Sequence, residues 1–404
     1  MEKDFLLELH RELMKEFSID YGKQKDLLIV DLVTVMGAIY CLDVSVTARK
    51  SSLKIEIPVY NLVLWKSLKN SLENLLKWVS SENFTIDFIV NKKEYEVQTQ
   101  MFLNNPNKRI VTLFSGGLDS LTGAYANLEN EIESDYLGFL NKNEEATKQR
   151  VLADFYRDTL NPTPEILLIE KPVSKKEYLI QSTRSLLYFA LAIAKAYYNE
   201  AQYIYLYENG ILSLNPTINN RFTTKTTHPK TVYEYNQLLA LLGIDISIRH
   251  PFVFSTKGEK IDVMNENFKL VIKDTFTCGA GRSGTLKIHT GQCGVCIPCL
   301  LRKISISAFN NEKYDTEYYI NYEDKVDEIP KGVYREEFLS NLNYFECYVK
   351  GIRDSSILQE LKMKSRYYGS TEYMINTVDM LNRFAEEFER YKSKYGISRH
   401  SYTY

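Results

Sequence analysis

Residues 110–120 decide the fold, and they read Ile-Val-Thr-Leu-Phe-Ser-Gly-Gly-Leu-Asp-Ser. The first five residues form a continuous apolar run, which is typical of a strand buried on both faces of a parallel sheet. Two glycines then permit a sharp turn and a close approach of the backbone to a ligand. A helix is predicted from Ser120, with Asp119 or Ser120 as its cap. The stretch therefore predicts a strand, a glycine-rich turn and a helix.

The chain after this stretch alternates strands with helices. Strands are predicted at residues 136–140, 166–169 and 203–207, and helices at 144–157 and 183–198. This alternation is typical of a doubly wound parallel α/β sheet. Such sheets bind ligands outside the carboxyl ends of their strands, which is where the glycine-rich turn lies.

Two further regions flank this core, and hydrophobic periodicity predicts their elements. The three predicted parts are an N-terminal α+β module at 1–105, the core at 106–310 and a helical C-terminal extension at 311–404. In the module we expect a helix at 4–17, a strand or buried helix at 27–40, a strand at 52–59, a helix at 62–79 and a hairpin of 84–90 with 95–99. In the extension we expect helices at 335–349, 356–364 and 372–395.

The composition is that of an ordinary globular protein, with 404 residues, 44% apolar and 25% charged. The formal net charge of -2 gives no electrostatic reason for strong non-specific binding of nucleic acid. Residues 186–194 are taken as the longest apolar stretch, which is too short for a membrane span. The charged N-terminus lacks the pattern of a secretory signal, so a cytoplasmic location with reduced thiols is expected.

The turn at residues 115–120 is predicted to bind phosphate. A helix that begins there presents free backbone N–H groups and the positive end of its dipole to an anion. The hydroxyls of Ser115 and Ser120 add donors. The loop is not of the GxxxxGK[ST] type, because no lysine follows the glycines. The residues of this phosphate loop are Ser115, Gly116, Gly117, Leu118, Asp119 and Ser120.

Four of the six cysteines lie within 22 residues of the chain. They are Cys278, Cys293, Cys296 and Cys299. Four thiolates in a reducing compartment suit a tetrahedral Zn²⁺ with Zn–S bonds of about 2.3 Å, and an iron–sulfur cluster is the alternative. A GxGxxG pattern at residues 279–284 lacks the context of a dinucleotide-binding turn, since it follows a cysteine and no acidic residue stands about 20 positions beyond it.

Three segments resemble the PP-loop ATP pyrophosphatases. Residues 115–120 match the complete SGGxDS signature of that superfamily. Residues 291–303, GQCGVCIPCLLRK, are similar to the CGxCxxCxxRK tail of the 7-cyano-7-deazaguanine synthases (QueC). The helix led by Arg184 is also similar to theirs, with Ser185 in place of the usual asparagine. The resemblance covers residues 108–310 and implies a PP-loop fold of the HUP type, ATP with Mg²⁺, a structural zinc and a 7-deazaguanine substrate.

The segment 207–229 departs from the small synthases. Its order ENG, NP, R and TTHP resembles the QueC-like proteins of bacterial anti-phage operons, among them the QatC component of Qat systems. The substrate-binding residues that this resemblance implies are Glu208, Asn209, Arg221, Thr227 and His228. The implied catalytic residues are Ser115, Asp119, Arg184 and His228. Arg184 would neutralise phosphate or carboxylate charge, and His228 would orient the carboxylate or move a proton, unless it belongs to a structural His-Pro turn.

The resemblance implies a ligase that releases pyrophosphate and AMP. It would activate a 7-deazaguanine carboxylate as an acyl-adenylate and transfer the acyl group, as an amide, to a partner protein encoded in the same defence operon. A nitrile synthase that uses ammonia is the main alternative. A tRNA-modifying PP-loop enzyme and a non-catalytic nucleotide-binding subunit are the others. A homodimer is compatible with the sequence, and no membrane partner is expected.

Overall fold

The computed structural model describes residues 9–11, 13, 15–17, 19–45, 52–91, 107–140, 143–170, 181–219, 221, 223–279, 291–322 and 328–397. In chain order its strands are β1 Leu53–Val59, β2 Phe84–Val90, β3 Ile110–Leu113, β4 Ser134–Leu140, β5 Ile166–Glu170, β6 Tyr203–Tyr205 and β7 Ser247–Arg249. The helices are α1 Gln24–Ser45, α2 Leu62–Ser80, α3 Leu118–Glu129, α4 Asn143–Thr159, α5 Arg184–Tyr198, α6 Gly210–Leu214, α7 Pro229–Leu241, α8 Lys257–Asp262, α9 Glu266–Leu270, α10 Ile297–Ser307, α11 Val333–Arg353, α12 Ile357–Glu360 and α13 Tyr373–Lys394.

The core is a five-stranded parallel sheet in the order β5-β4-β3-β6-β7. Every residue of β4 is buried, because helices cover both faces of the sheet. One face packs against α5 and α7, and the other against α3 and α4. The prediction of a doubly wound parallel α/β sheet is confirmed. The strand β7 was not predicted, since only one of its three residues, Ile248, is apolar and buried.

The crossover at β3 places a crevice at the edge where the strands end. The chain runs from β3 to β4 and β5 on one side, and α5 then carries it across to β6 on the other. Ligands of open α/β sheets bind at such a reversal of strand order. The ends of β3 and β6 are therefore the expected place for a site.

The N-terminal module is a β-α-β unit, with β1 and β2 paired in parallel and α2 between them. β1 alternates buried and more exposed residues, as predicted. The run at 27–40, predicted as a strand or a buried helix, belongs to the helix α1. The second strand of the predicted hairpin at 95–99 lies outside the described residues, as does part of the predicted helix at 4–17.

The helix α1 is long and apolar enough to cross a membrane, and 78% of its most apolar window is buried inside the protein. The longest apolar segment of the chain is therefore this helix and not residues 186–194, although the helix contains one acidic residue, Asp31, among its apolar residues. The carboxylate of Asp31 accepts hydrogen bonds from the backbone N–H of Tyr60 and from Nε1 of Trp65, at 2.8 and 3.1 Å. α1 packs against α5 in one continuous apolar cluster, as a core helix does.

The C-terminal extension packs around the cysteine segment. α11 and α13 share an apolar cluster with α10 and the four cysteines. The helix predicted at 356–364 is only the short α12. α11 is longer than the predicted 335–349, and α13 agrees with the predicted 372–395 to within one residue at each end. The extension therefore lies against the part of the core that carries the cysteines.

Candidate active site

A cleft of about 200 Å³ opens at the carboxyl ends of β3 and β6. The predicted site residues that line it are Ser115, Gly117, Asp119, Ser120, Arg184, Glu208, Thr227 and Cys278. Residues that sequence analysis did not select also line it, and they include Glu145, Ser185, Tyr188 and Lys257. The cleft occupies the position that the strand-order reversal favours.

The phosphate loop is held by its own hydroxyls. Ser120 Oγ accepts the backbone N–H of Ser115 at 3.0 Å and lies 2.7 Å from Ser115 Oγ. Ser115 Oγ in turn accepts the N–H of Gly117 at 3.2 Å. Gly116 has φ +74°, and a Cβ there would lie 2.5 Å from Cγ of Gln149. A glycine is therefore required at this position by both conformation and space.

The helix α3 begins at Leu118, two residues earlier than predicted, with Gly117 as its N-cap. No side chain caps it within the described part of the chain, so the predicted capping by Asp119 or Ser120 is wrong. The N–H groups of Leu118, Asp119 and Ser120 fall in the first turn, which has no intrahelical acceptors. These N–H groups lie at the N-terminal end of the helix, which is the end that attracts anions.

The side chain of Asp119 is turned from the cap into an ion pair. Its Oδ2 lies 2.6 Å from Nζ of Lys257, the first residue of α8. The side chain of Lys257 is 1% exposed and that of Asp119 is 14% exposed, so the pair is largely removed from water. The sequence has no lysine after the glycines, and the fold supplies one from a distant helix.

Two polar residues at the end of β6 complete this cluster. Nδ2 of Asn209 donates to Asp119 Oδ1 at 3.2 Å and to Glu208 Oε1 at 3.0 Å. Oδ1 of Asn209 accepts the N–H of Leu212 and caps α6. Burial, and next the charge of Asp119, raise the pKa of Glu208 well above its ordinary value. Glu208 therefore favours its protonated form beside the ionised pair of Asp119 and Lys257.

Arg184 is the first residue of α5 and lines the cleft. Its guanidinium lies 3.4 Å from Glu145 Oε1 on α4. The other carboxylate oxygen of Glu145 is buried and has no hydrogen-bond partner among the described residues. An anionic ligand that enters the cleft would meet Arg184, and a ligand N–H group would find an acceptor on Glu145.

Two residues predicted to bind substrate lie away from the cleft. Nε2 of His228 donates to the carbonyl of Leu361 at 2.9 Å, and Nδ1 accepts the N–H of Lys230 at 3.0 Å. The guanidinium of Arg221 donates to Oδ1 of Asn341 on α11. Both side chains therefore connect the core to the C-terminal extension.

The geometry of His228 corrects its predicted role in proton transfer. It is 1% exposed and serves as the N-cap of α7. Burial lowers its pKa to about 3, so the ring stays neutral at physiological pH. With one nitrogen donating and the other accepting, neither is free for a substrate. The structural His-Pro turn is the interpretation that the structure supports.

The four predicted metal ligands meet in one buried cluster. Their sulfur atoms all lie within 4.8 Å of one another. Tetrahedral coordination with bonds of about 2.3 Å needs sulfur atoms slightly under 4 Å apart, which small side-chain shifts would supply. Backbone N–H groups already point at the sulfurs: Cys296 N lies 3.1 Å from Cys293 Sγ, and Gly279 N lies 3.3 Å from Cys296 Sγ. Such N–H contacts stabilise thiolate ligands.

The cysteine cluster is joined to the phosphate loop. The N–H of Phe276 donates to the carbonyl of Gly116 at 2.9 Å, and Cys278 follows two residues later and lines the cleft. All but the first residue of the GxGxxG pattern lie outside the described residues. A metal that ordered Cys278 would therefore also order one wall of the cleft.

Lys257 was not predicted as a site residue, although the sequence holds a local signal for the start of its helix. Thr256 and Glu259 have the T-x-x-E spacing of a capping box, and Oγ1 of Thr256 accepts the N–H of Glu259 at 3.2 Å. The pattern predicts a helix start but not what the lysine meets. Its partner Asp119 is 138 residues away in the chain.

No family model matches the chain, and no curated protein is significantly similar to it.

Proposed function

We propose that this protein is an ATP-dependent ligase that activates a carboxylate as an acyl-adenylate. The observation that carries the proposal is the meeting of the free N–H groups at the start of α3 with the buried pair of Lys257 and Asp119. Backbone N–H groups and a lysine are the donors that bind phosphate groups. The resemblance of residues 115–120 to the SGGxDS signature supports the same assignment.

The proposed reaction has two steps. In the first, an oxygen of the substrate carboxylate attacks the α-phosphorus of ATP, the bond to the β-phosphate oxygen breaks, and pyrophosphate leaves. Lys257 and the N–H groups of the phosphate loop would stabilise the charge that develops on the phosphate oxygens. Asp119 offers carboxylate oxygens of the kind that Mg²⁺ prefers, and the ion would neutralise phosphate charge.

In the second step an amine nitrogen attacks the carbonyl carbon of the adenylate. The nitrogen loses a proton, the carbon–oxygen bond to AMP breaks, and an amide forms. Arg184 would hold the substrate carboxylate or the α-phosphate, with Glu145 accepting a ligand N–H. The proposed substrate is 7-carboxy-7-deazaguanine, whose base would contact Glu208 and Thr227 at the end of the cleft.

The proposed amine belongs to a partner protein of the same operon. A flexible N-terminus is the simplest donor, because its pKa of about 7.7–8.0 leaves it partly neutral at physiological pH, whereas lysine at about 10.4 is charged. The N-terminal module and the C-terminal extension add surface that an ammonia-dependent enzyme would not need. The four-cysteine cluster would hold a structural zinc, with every coordination position filled by sulfur.

Pyrophosphate release with ATP and 7-carboxy-7-deazaguanine tests the first step. Lys257→Met should lower its rate by about 10²–10³-fold, the usual effect of removing one transition-state donor. Lys260→Met is the matched control, since Lys260 lies on the same helix but does not line the cleft. Its Nζ lies over the ring of Phe252, 4.9 Å from the ring centroid. Equal rates for the two variants would refute the phosphate-binding role of Lys257.

The nucleophile is tested by offering two amines to the same enzyme. With the partner protein present, intact-mass spectrometry should find the partner heavier by the deazaguanine acyl group. With ammonia alone, little nitrile should form. Efficient nitrile synthesis with no mass shift on any protein from the operon would contradict protein modification and favour a nitrile synthase that uses ammonia.

A further inference from the structure

A buried carboxyl group of the C-terminal extension touches the helix that carries Lys257. Glu387 lies on α13 and is 2% exposed. Its Oε1 accepts a hydrogen bond from the hydroxyl of Thr256, the N-cap of α8. Thr256 Oγ1 at the same time accepts the N–H of Glu259. The carboxyl group therefore fixes the hydroxyl proton of Thr256 so that a lone pair faces the helix.

The backbone of α8 is also fitted to this carboxyl group. A Cβ built on Gly258 would lie 2.6 Å from Oε1 and 2.8 Å from Oε2 of Glu387. Only glycine permits so close an approach at this position. Thr256 and Gly258, which both contact Glu387, are the immediate neighbours of Lys257 on either side.

We propose that Glu387 is a positioning residue for the cleft, which sets the place of α8 through Thr256 and Gly258 and thereby directs Lys257 onto Asp119. This inference rests on the proposed ATP site. It gives the C-terminal extension a part in nucleotide binding, although α13 contributes no residue to the lining of the cleft.

The chemistry of the contact allows a conservative variant. Burial raises the pKa of Glu387 to about 8, so the carboxyl group is mostly neutral at pH 7. Its Oε2 has no hydrogen-bond partner among the described residues. A glutamine is neutral and of the same shape, and its amide oxygen can accept from Thr256. Glu387→Gln should therefore keep the position of α8, and Glu387→Ala should lose it.

Hydrogen exchange of residues 256–262 measures the position of α8 without any ligand. Glu387→Ala and Gly258→Ala should each speed exchange there by about tenfold or more, with exchange in the central sheet unchanged. Gly258→Ala is informative because alanine normally stabilises a helix relative to glycine, so faster exchange would have to come from the lost fit to Glu387. Glu389→Ala is the control on the same helix, since Glu389 is a partly exposed carboxylate that pairs with Arg353 at 2.9 Å.

The second readout is the affinity for ATP. Glu387→Ala should weaken the affinity for ATP about tenfold. Glu387→Gln and Glu389→Ala should each weaken it less than twofold. In the background of Lys257→Met, Glu387→Ala should have almost no further effect, because the two residues act through one contact.

Three results would overturn the inference: unchanged exchange in α8, uniformly faster exchange throughout the protein, or additive losses of affinity. A wild-type protein that fails to bind ATP would refute the proposed function. In that case the exchange data alone still decide whether Glu387 positions Lys257.

Discussion

The phosphate loop at 115–120 and the segment 207–229 border the same cleft, and the sequence predicted the local conformation of the first better than the contacts of the second. The loop is built from contacts between neighbours: Ser115, Gly117 and Ser120 hydrogen-bond one another. In the segment, Arg221 and His228 point to α11 and to Leu361 in the C-terminal extension. Polar residues near a cleft can thus hydrogen-bond to a neighbouring region of the protein and have no contact with a ligand.

The largest effect is expected at the cysteine cluster, the other part that local sequence predicted. Cys296→Ser removes one of four ligands from a closed site, and structural zinc contributes about 10–16 kcal/mol in small zinc peptides. We expect loss of the metal with unfolding or aggregation. Elemental analysis of the wild type should find one zinc per chain.

Cys347→Ser is the control, since Cys347 lies outside the cluster and is only half-buried. It should fold and retain the metal. Soluble, active wild-type protein without metal would contradict the assignment, and iron in place of zinc would favour an iron–sulfur cluster.

The second prediction separates a cap from a buried ion pair. Loss of a cap costs about 1 kcal/mol, which is the expectation for Asp119 from sequence alone. In the structure Asp119→Ala leaves Lys257 buried and unpaired, which costs about 3–5 kcal/mol. Urea unfolding at pH 7 measures the difference. Asp119→Ala combined with Lys257→Met should recover most of the stability, and a loss near 1 kcal/mol with no recovery would contradict the buried pair.

The parts of the molecule that could be predicted from the sequence are those that depend on short-range patterns. The sheet, the turn after β3 and the four cysteines each follow from residues close together in the chain. The nature of the run at 27–40 stayed open because it is apolar with little helical periodicity. Lys257 was missed, since its partner is 138 residues away, and His228 was misassigned because its partner is 133 residues away.

The third prediction uses pH to distinguish a structural histidine from a catalytic one. The folded pKa of His228 is about 3, below its ordinary 6.5, so the unfolded chain takes up the proton first. Its contribution to stability is complete above pH 6.5 and is lost as the pH falls toward 3. His228→Asn keeps an N-cap side chain but does not titrate. Between pH 7 and pH 5 it should lose about 2 kcal/mol less unfolding free energy than the wild type.

The same variant should leave the pH dependence of pyrophosphate release between pH 6 and 8.5 unchanged in shape. A general base would show otherwise, because its removal eliminates one limb of the profile. A lost limb in His228→Asn, with unchanged acid stability, would restore the catalytic assignment of this residue.

The smallest effect is expected from Arg221→Ala, and it bears directly on the comparison between the two borders of the cleft. Arg221 donates to Asn341 Oδ1 and stands 5.7 Å from the ring of Tyr344, so its loss should cost about 1–2 kcal/mol of unfolding free energy. The KM for 7-carboxy-7-deazaguanine should change less than twofold. Asn341→Ala should show a positive coupling energy with it in a double-mutant cycle. If Arg221 bound the substrate carboxylate, Arg221→Ala would instead raise the KM tenfold or more. The unfolding free energy would then hardly change, and the coupling energy with Asn341 would be near zero, because a hydrogen bond to the substrate does not exist in the unliganded protein.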